Sequence, residues 1–146
     1  MQPYVLGFYG ESNSGKTKII IDLIQTLVKK GYKIATVKKT HKDIKLDSPG
    51  KDTWRHSEAG SEIVILSSLN ETDIIVNEKK DIKQIIKAIS VFGEYHVIIV
   101  EGADEDFIPK IRVGDIKNRT NTILTYNDNI KEIINIIINN IQKEVD

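Results

Sequence analysis

The apolar residues of this chain recur with two different periods, and the changes between them mark out its elements. Val5 to Tyr9 is a short apolar run of the length of a buried strand. From Thr17 to Lys30 the spacing becomes helical, with Ile20, Leu23, Ile24, Leu27 and Val28 on one inward face. Lys29 and Lys30 suit the negative end of that helix, and Gly31 supplies a left-handed stop. Lys33 to Val37 reads as a second strand, and Lys51 to Ala59 as a short helix ending at Gly60. Ile63 to Leu66 and Ile74 to Val76 read as strands, followed by a helix capped by Asp81 with Ile82, Ile85, Ile86 and Ile89 along one side. Val97 to Val100 is the most apolar strand and is expected inside the sheet. Lys110 to Val113 alternates and is expected at an edge, where it could pair across a two-fold axis. Thr122 to Leu124 is the last strand, and Asp128 or Asn129 caps a final helix that turns Ile130, Ile133, Ile134, Ile137 and Ile141 inward.

Strands alternating with helices predict an α/β fold: a mostly parallel twisted sheet with helices on both faces, in one domain spanning residues 1–146. Right-handed crossovers place the C-terminal ends of such strands on one edge, where ligands bind. The segments that follow strands are Gly10 to Thr17, Lys38 to Asp43, Glu101-Gly102 and Thr125 to Asp128, so they are expected to converge there.

Composition narrows the partners. Lys plus Arg number 21 and Asp plus Glu number 21 in 146 residues, so no bulk charge draws the chain to nucleic acid or to an anionic membrane. There is no cysteine, which excludes disulfides and thiolate metal sites, and His41 and His56 without a close partner make a weak case for zinc. No targeting segment is visible, and Asn and Lys interrupt the Ile-rich tail, so a cytoplasmic protein is expected.

The strongest chemical signal is Gly10-Glu11-Ser12-Asn13-Ser14-Gly15-Lys16-Thr17, which matches the Walker A pattern in full between a strand and an amphipathic helix. Its glycines let the backbone curl so that successive N–H groups face phosphate oxygens, and the following helix adds its positive end. Lys16 supplies a mobile charge for the β and γ phosphates, and Thr17 a hydroxyl for magnesium. A second acid is needed near that magnesium, and Glu101, at the end of Val97-Ile98-Ile99-Val100, is the candidate. Its rival reading is a carboxylate that merely ends a strand.

The stretch from Lys38 to Gly60 holds most of the remaining polar chemistry. Lys39, Lys51 and Arg55 are candidates for phosphates of a nucleotide or of a second substrate. Asp43 and Asp52 are candidates to serve magnesium or orient a water, and Trp54 to stack or to pack.

With these residues the chain resembles the MobB family of molybdopterin-guanine dinucleotide biosynthesis adaptors. The resemblance rests on the P-loop, on Lys39-Thr40-His41, on Asp47 to His56 with Ala59-Gly60, and on Val100-Glu101-Gly102 with Pro109-Lys110-Ile111. The Pro49-Gly50-Lys51-Asp52-x-x-Arg55-His56 run is specific, whereas a Walker A loop alone is not. The resemblance implies a three-layer P-loop NTPase fold, binding of GTP with Mg²⁺, weak intrinsic GTPase activity and a homodimer. It also implies a nucleotidyltransferase partner that attaches GMP to molybdopterin. By residue it assigns the phosphates to Ser12 through Thr17 and magnesium to Thr17 with Glu101, and it turns the segment bearing Lys39, His41, Lys51, Asp52 and Arg55 toward the substrate.

One position departs from the usual guanine-reading element, Asn/Thr-Lys-x-Asp. Here it is Thr125-Tyr126-Asn127-Asp128, with Tyr in place of Lys, so Asp128 is either a guanine acceptor or a helix cap. Two rival functions share the P-loop. A small-molecule kinase usually needs an arginine-bearing lid, and the chain has only Arg55, Arg112 and Arg119. A non-hydrolysing, nucleotide-switched binding module shares every binding residue and differs only in turnover. No catalytic Gln or arginine finger follows Glu101-Gly102, so intrinsic hydrolysis is expected to be slow.

Overall fold

Five strands lie parallel in one sheet in the order β2-β5-β1-β6-β7, with β1 (Tyr4–Gly10) at its centre. The others are β2 (Ile34–Lys38), β5 (Val97–Glu101), β6 (Lys110–Val113) and β7 (Thr122–Thr125). The helices are α1 (Lys16–Lys29), α2 (Asp52–Glu58), α3 (Ile82–Phe92) and α4 (Ile130–Val145), and β3 (Ile63–Ser67) pairs with β4 (Thr72–Val76). The computed structural model describes residues 2–145. Among the described residues no helix is long and apolar enough to cross a membrane.

The chain divides into two compact units, one made of residues up to Thr40 together with Ile86 onward, the other of His41–Ile85. In the first, α1 and α4 pack together against the sheet. Leu6 and Phe8 of β1, Val97 and Ile99 of β5, and Ile111 of β6 meet Leu23, Leu27, Ile133 and Ile137 in one core. The opposite side of β5, Ile98 and Val100, is also fully buried, as a strand covered on both faces requires. In α1 the core face is Ile19, Ile20, Leu23 and Leu27, whereas Val28, expected inward, is 54% exposed. The helix closes as Gly31 turns left-handed at φ 91°, Gly31 N–H donating to Val28 C=O at 3.0 Å and Tyr32 N–H to Leu27 C=O at 3.1 Å. At the start of α3, Asp81 and Gln84 exchange side-chain-to-backbone hydrogen bonds at 2.9 and 3.0 Å, a reciprocal capping box.

Two expectations are corrected. Lys110 to Val113 is no edge: β6 pairs with β1 on one side and β7 on the other, so it has no free backbone to offer a second chain. β3 and β4 do not join the parallel sheet but form a separate antiparallel hairpin. Short apolar strands carry no mark of their partner, and the four residues between β3 and β4 close a turn, with Ser68 N–H donating to Glu71 C=O at 2.9 Å.

The link from β5 to β6 passes over β1 without a helix, and it shapes the interior. A Cβ on Gly7 would stand 2.5 Å from Ala103 Cβ and 3.1 Å from Ile108 Cγ2, so the glycine makes room for the crossing chain. Buried carbonyls of that chain need donors. Lys110, 0% exposed, gives its three N–H groups to the carbonyls of Glu105, Ile108 and Thr120 at 2.5, 2.9 and 2.5 Å. Burial pushes the Lys110 ammonium below the ordinary lysine range, against the opposing pull of Asp106 and Glu105. Arg119 donates to Ala103 C=O at 2.7 Å and lies over the Tyr9 ring.

In the second unit, α2 packs beside β3 and Val64 becomes buried. Asn77 ties the end of α2 to the hairpin, its side chain donating to Ser57 Oγ at 2.9 Å and Ser61 C=O at 2.8 Å.

Candidate functional site

The loop from Gly10 to Thr17 leaves the C-terminal end of the central strand and turns directly into α1. Asn13 and Gly15 both take left-handed backbone, at φ 64° and 89°, which gives the loop its curl. Gly10 is fixed by packing, since a Cβ there would stand 2.4 Å from Val113 C=O. The space beside Gly15 is open, with nothing within 4 Å of its Cβ position. No side chain caps α1 at Gly15, so the helix presents its first N–H groups and its positive end to the loop. Lys16 bends back across it, Nζ donating to Gly10 C=O at 2.6 Å and Glu11 C=O at 3.0 Å. Ser14 Oγ is buried with no hydrogen-bond partner in the structure.

Two parallel strands bring the hard-oxygen groups together. Thr17 lies in the first turn of α1 after β1, Glu101 ends β5 beside β1, and the Thr17 hydroxyl donates to Glu101 Oε1 at 3.4 Å. A hydroxyl and a carboxylate at that separation suit a small divalent cation that keeps some of its waters. Next to it, Gly102 turns left-handed at φ 84° and its N–H is taken by Phe8 C=O at 2.7 Å.

Lys39 follows β2 on the same edge, and its ammonium lies on Asp104 Oδ1 and on both oxygens of Glu105, each at 2.7 Å. Burial draws the Lys39 ammonium down, but the bonds and charges of Asp104 and Glu105 outweigh it and hold it above the ordinary lysine value. The hydrogen bond from Lys39 in turn holds the Asp104 carboxyl below its ordinary value. This acidic partnership was not legible from the sequence, where Lys39 reads as a substrate contact.

His41, Lys51, Asp52 and Arg55 belong to the second unit. Asp52 opens α2, and Arg55 N–H donates to Lys51 C=O at 3.0 Å, so these three share its first turn. A cavity of about 340 Å³ within this unit is lined by Lys51, Asp47, Thr53 and Asp73 with Val64 and Ile75. Asp47 Oδ2 is buried without a hydrogen-bond partner.

Asp128 stands before α4 at φ 66°, in the left-handed region, whereas an N-cap residue is extended. Asn129, immediately before Ile130, occupies the cap position, and its C=O accepts from Glu132 N–H at 3.3 Å.

A family model described as MobB, molybdopterin guanine dinucleotide synthesis protein B, matches residues 5–139. The chain belongs to the MobB family. A putative molybdopterin-guanine dinucleotide biosynthesis adapter protein of Methanocaldococcus jannaschii is 31% identical over 91% of this chain and 60% of its own length. The corresponding adapter protein of Haemophilus influenzae is 32% identical over 73% of this chain and 61% of its own. The chain thus spans about three fifths of these curated MobB relatives. The crystal structure of Bacillus subtilis MobB superposes with a TM-score of 0.72 over 90% of this chain and 96% of that one, at 14% identity. A MobB homologue from Bacillus stearothermophilus superposes with a TM-score of 0.62 over 95% of this chain and 98% of that one, also at 14% identity. These likenesses bear out the α/β fold with its mostly parallel sheet flanked by helices.

Proposed function

We propose that the chain is a GTP-binding accessory protein of molybdenum cofactor biosynthesis. It assists a nucleotidyltransferase in joining GMP to molybdopterin and hydrolyses GTP only slowly. The observation that carries the reading is the pairing of a full P-loop, with Lys16 folded over it, and a Thr17–Glu101 contact of 3.4 Å at its magnesium end. Ser12 to Thr17 would take the phosphates, and Thr17 and Glu101 would hold a Mg²⁺ ion, which would supply positive charge against the phosphates. Slow turnover is supported by Gly102, whose N–H is engaged by Phe8 rather than free for a γ-phosphate.

Other features agree with this reading. Lys51 beside the cavity with its unpartnered Asp47 oxygen supports a small polar substrate in the second unit. The kinase reading is disfavoured because Arg112 is spent on Thr125 Oγ1 and Ile116 C=O, and Arg119 on Ala103 C=O, rather than on a lid. A homodimer is supported by the hairpin, where cross-strand Ile63, Val76, Ile65 and Ile74 are 56, 38, 57 and 41% exposed on one face. A two-stranded sheet with a bare apolar face is marginal in water and gains from being covered.

The test is binding of a fluorescent GTP analogue with magnesium, in competition with ATP. The wild type is expected to bind, GTP to displace better than ATP, and Lys16→Ala to abolish binding. Undiminished binding by that variant overturns the phosphate assignment. Ile65→Asp is expected to give a monomer in sedimentation.

A further inference from the structure

Lys39 touches the chain on both sides of the segment that follows Glu101. Its N–H donates to Glu101 C=O at 2.8 Å. Its own carbonyl oxygen lies 2.6 Å from where a Cβ on residue 102 would stand, which closes that position to any side chain. Its ammonium then reaches past Gly102 to Asp104 and Glu105, at 2.7 Å from each. Lys39 and Glu105 side chains are only 22 and 17% exposed, so this is a partly buried clamp rather than a loose surface pair. The same loop is held by Phe8 through the Gly102 N–H, by Arg119 through Ala103, and by Lys110 through Glu105 and Ile108. Lys39 adds the side-chain contacts that fix Asp104 and Glu105.

We propose that Lys39 is a positioning residue for the magnesium acid: by clamping Asp104 and Glu105 it holds the end of β5 so that Glu101 stays beside Thr17. This rests on the magnesium reading of Thr17 and Glu101 given above. Without the ammonium, the two carboxylates next in line repel each other, the stem of the loop relaxes, and the Glu101 carboxylate loses its fixed approach to the Thr17 hydroxyl. Outer-shell groups of this kind typically govern about 10–100-fold of metal affinity. Lys39 therefore acts on the metal and not on the nucleotide, although it stands on the nucleotide-binding edge.

The experiment measures affinity for a fluorescent GTP analogue in EDTA and again in magnesium, and takes the ratio. The wild type gains affinity with magnesium. Lys39→Met is expected to lose about tenfold or more of that gain, with its affinity in EDTA unchanged. Lys39→Arg, which keeps a cation able to reach both carboxylates, is expected to retain most of it. The double variant Asp104→Asn/Glu105→Gln breaks the clamp from the other side while removing negative charge, and is expected to lose the gain as well. Full magnesium gain in Lys39→Met overturns the proposal. So does loss in Lys39→Met with full gain in the double variant, since the ion pair is then not what holds Glu101 beside Thr17. A wild type that binds the analogue equally with and without magnesium overturns the magnesium assignment itself, and Lys39 positioning falls with it.

Discussion

The Thr17 hydroxyl donates to the Glu101 carboxylate across 3.4 Å, although 84 positions separate the two residues in the chain. Parallel pairing of β1 with β5, in which Phe8 stands opposite Glu101, brings them together. If both hold one ion, their effects are not additive. Thr17→Ala and Glu101→Gln are each expected to remove most of the magnesium gain in nucleotide affinity, and the double variant to lose little more than either. A cycle built from the four proteins in EDTA and in magnesium checks this, and additive losses would separate the two residues.

Gly7 tests the crossing of the β5–β6 link over β1. A methyl at this position would meet Ala103 Cβ at 2.5 Å, and that neighbour is on a packed main chain that can yield little. Gly7→Ala is expected to cost about 1–3 kcal/mol of stability, as overpacking does. Denaturant unfolding followed by circular dichroism reads it directly.

Lys110 is the donor that makes the same crossing stable. Lys110→Met keeps the apolar stem but strands the carbonyls of Glu105, Ile108 and Thr120. The expected cost is about 3–5 kcal/mol. Lys110→Arg is not expected to rescue it, because a planar guanidinium cannot aim at three acceptors gathered around one point.

The Lys110 case shows where sequence reasoning stops. The lysine in an alternating strand looks like a solvent-facing edge residue, and nothing local reveals three carbonyls converging from two loops. Gly7 inside an apolar run was the available signal, since a glycine in a strand often marks close backbone approach. The P-loop and the closure of α1 were legible because their chemistry is local: glycines where φ is positive, a lysine and a threonine at fixed offsets. Val28 was misplaced inward because one-face counting cannot tell a stripe's rim from its centre, while Ile19 at the other rim is buried. The β3–β4 hairpin failed for another reason, as strand periodicity reports burial and not the direction of the neighbour.

The Lys39 clamp also has a pH signature. Asp104 is held below its ordinary value of 3.8, so its share of stability is present above that pH and is lost as pH falls through the lower folded value. Lys39 is held above 10.5, so its share is present below that pH and is lost as pH rises through the higher folded value. The difference in melting temperature between wild type and Lys39→Met is therefore expected to be flat around neutrality and to shrink at both extremes. A difference that instead changes through the neutral range would point to a histidine and away from this clamp.

Asp128 is the residue through which base preference can be tested. Its left-handed backbone at φ 66° takes it out of the cap position, which Asn129 fills, so its carboxylate is not committed to closing α4. It follows β7 on the edge where the P-loop also ends its strand. A carboxylate accepts two parallel bonds from the N1–H and exocyclic amine of guanine, whereas adenine presents an unprotonated N1. Asp128→Asn replaces one acceptor with a donor. If Asp128 meets the base, this variant is expected to lose about tenfold or more in GTP affinity, the scale of a charged hydrogen bond. It should gain for xanthosine triphosphate, whose carbonyl replaces the guanine amine. An effect on stability with no change in the ratio of the two nucleotides would return Asp128 to a purely structural role.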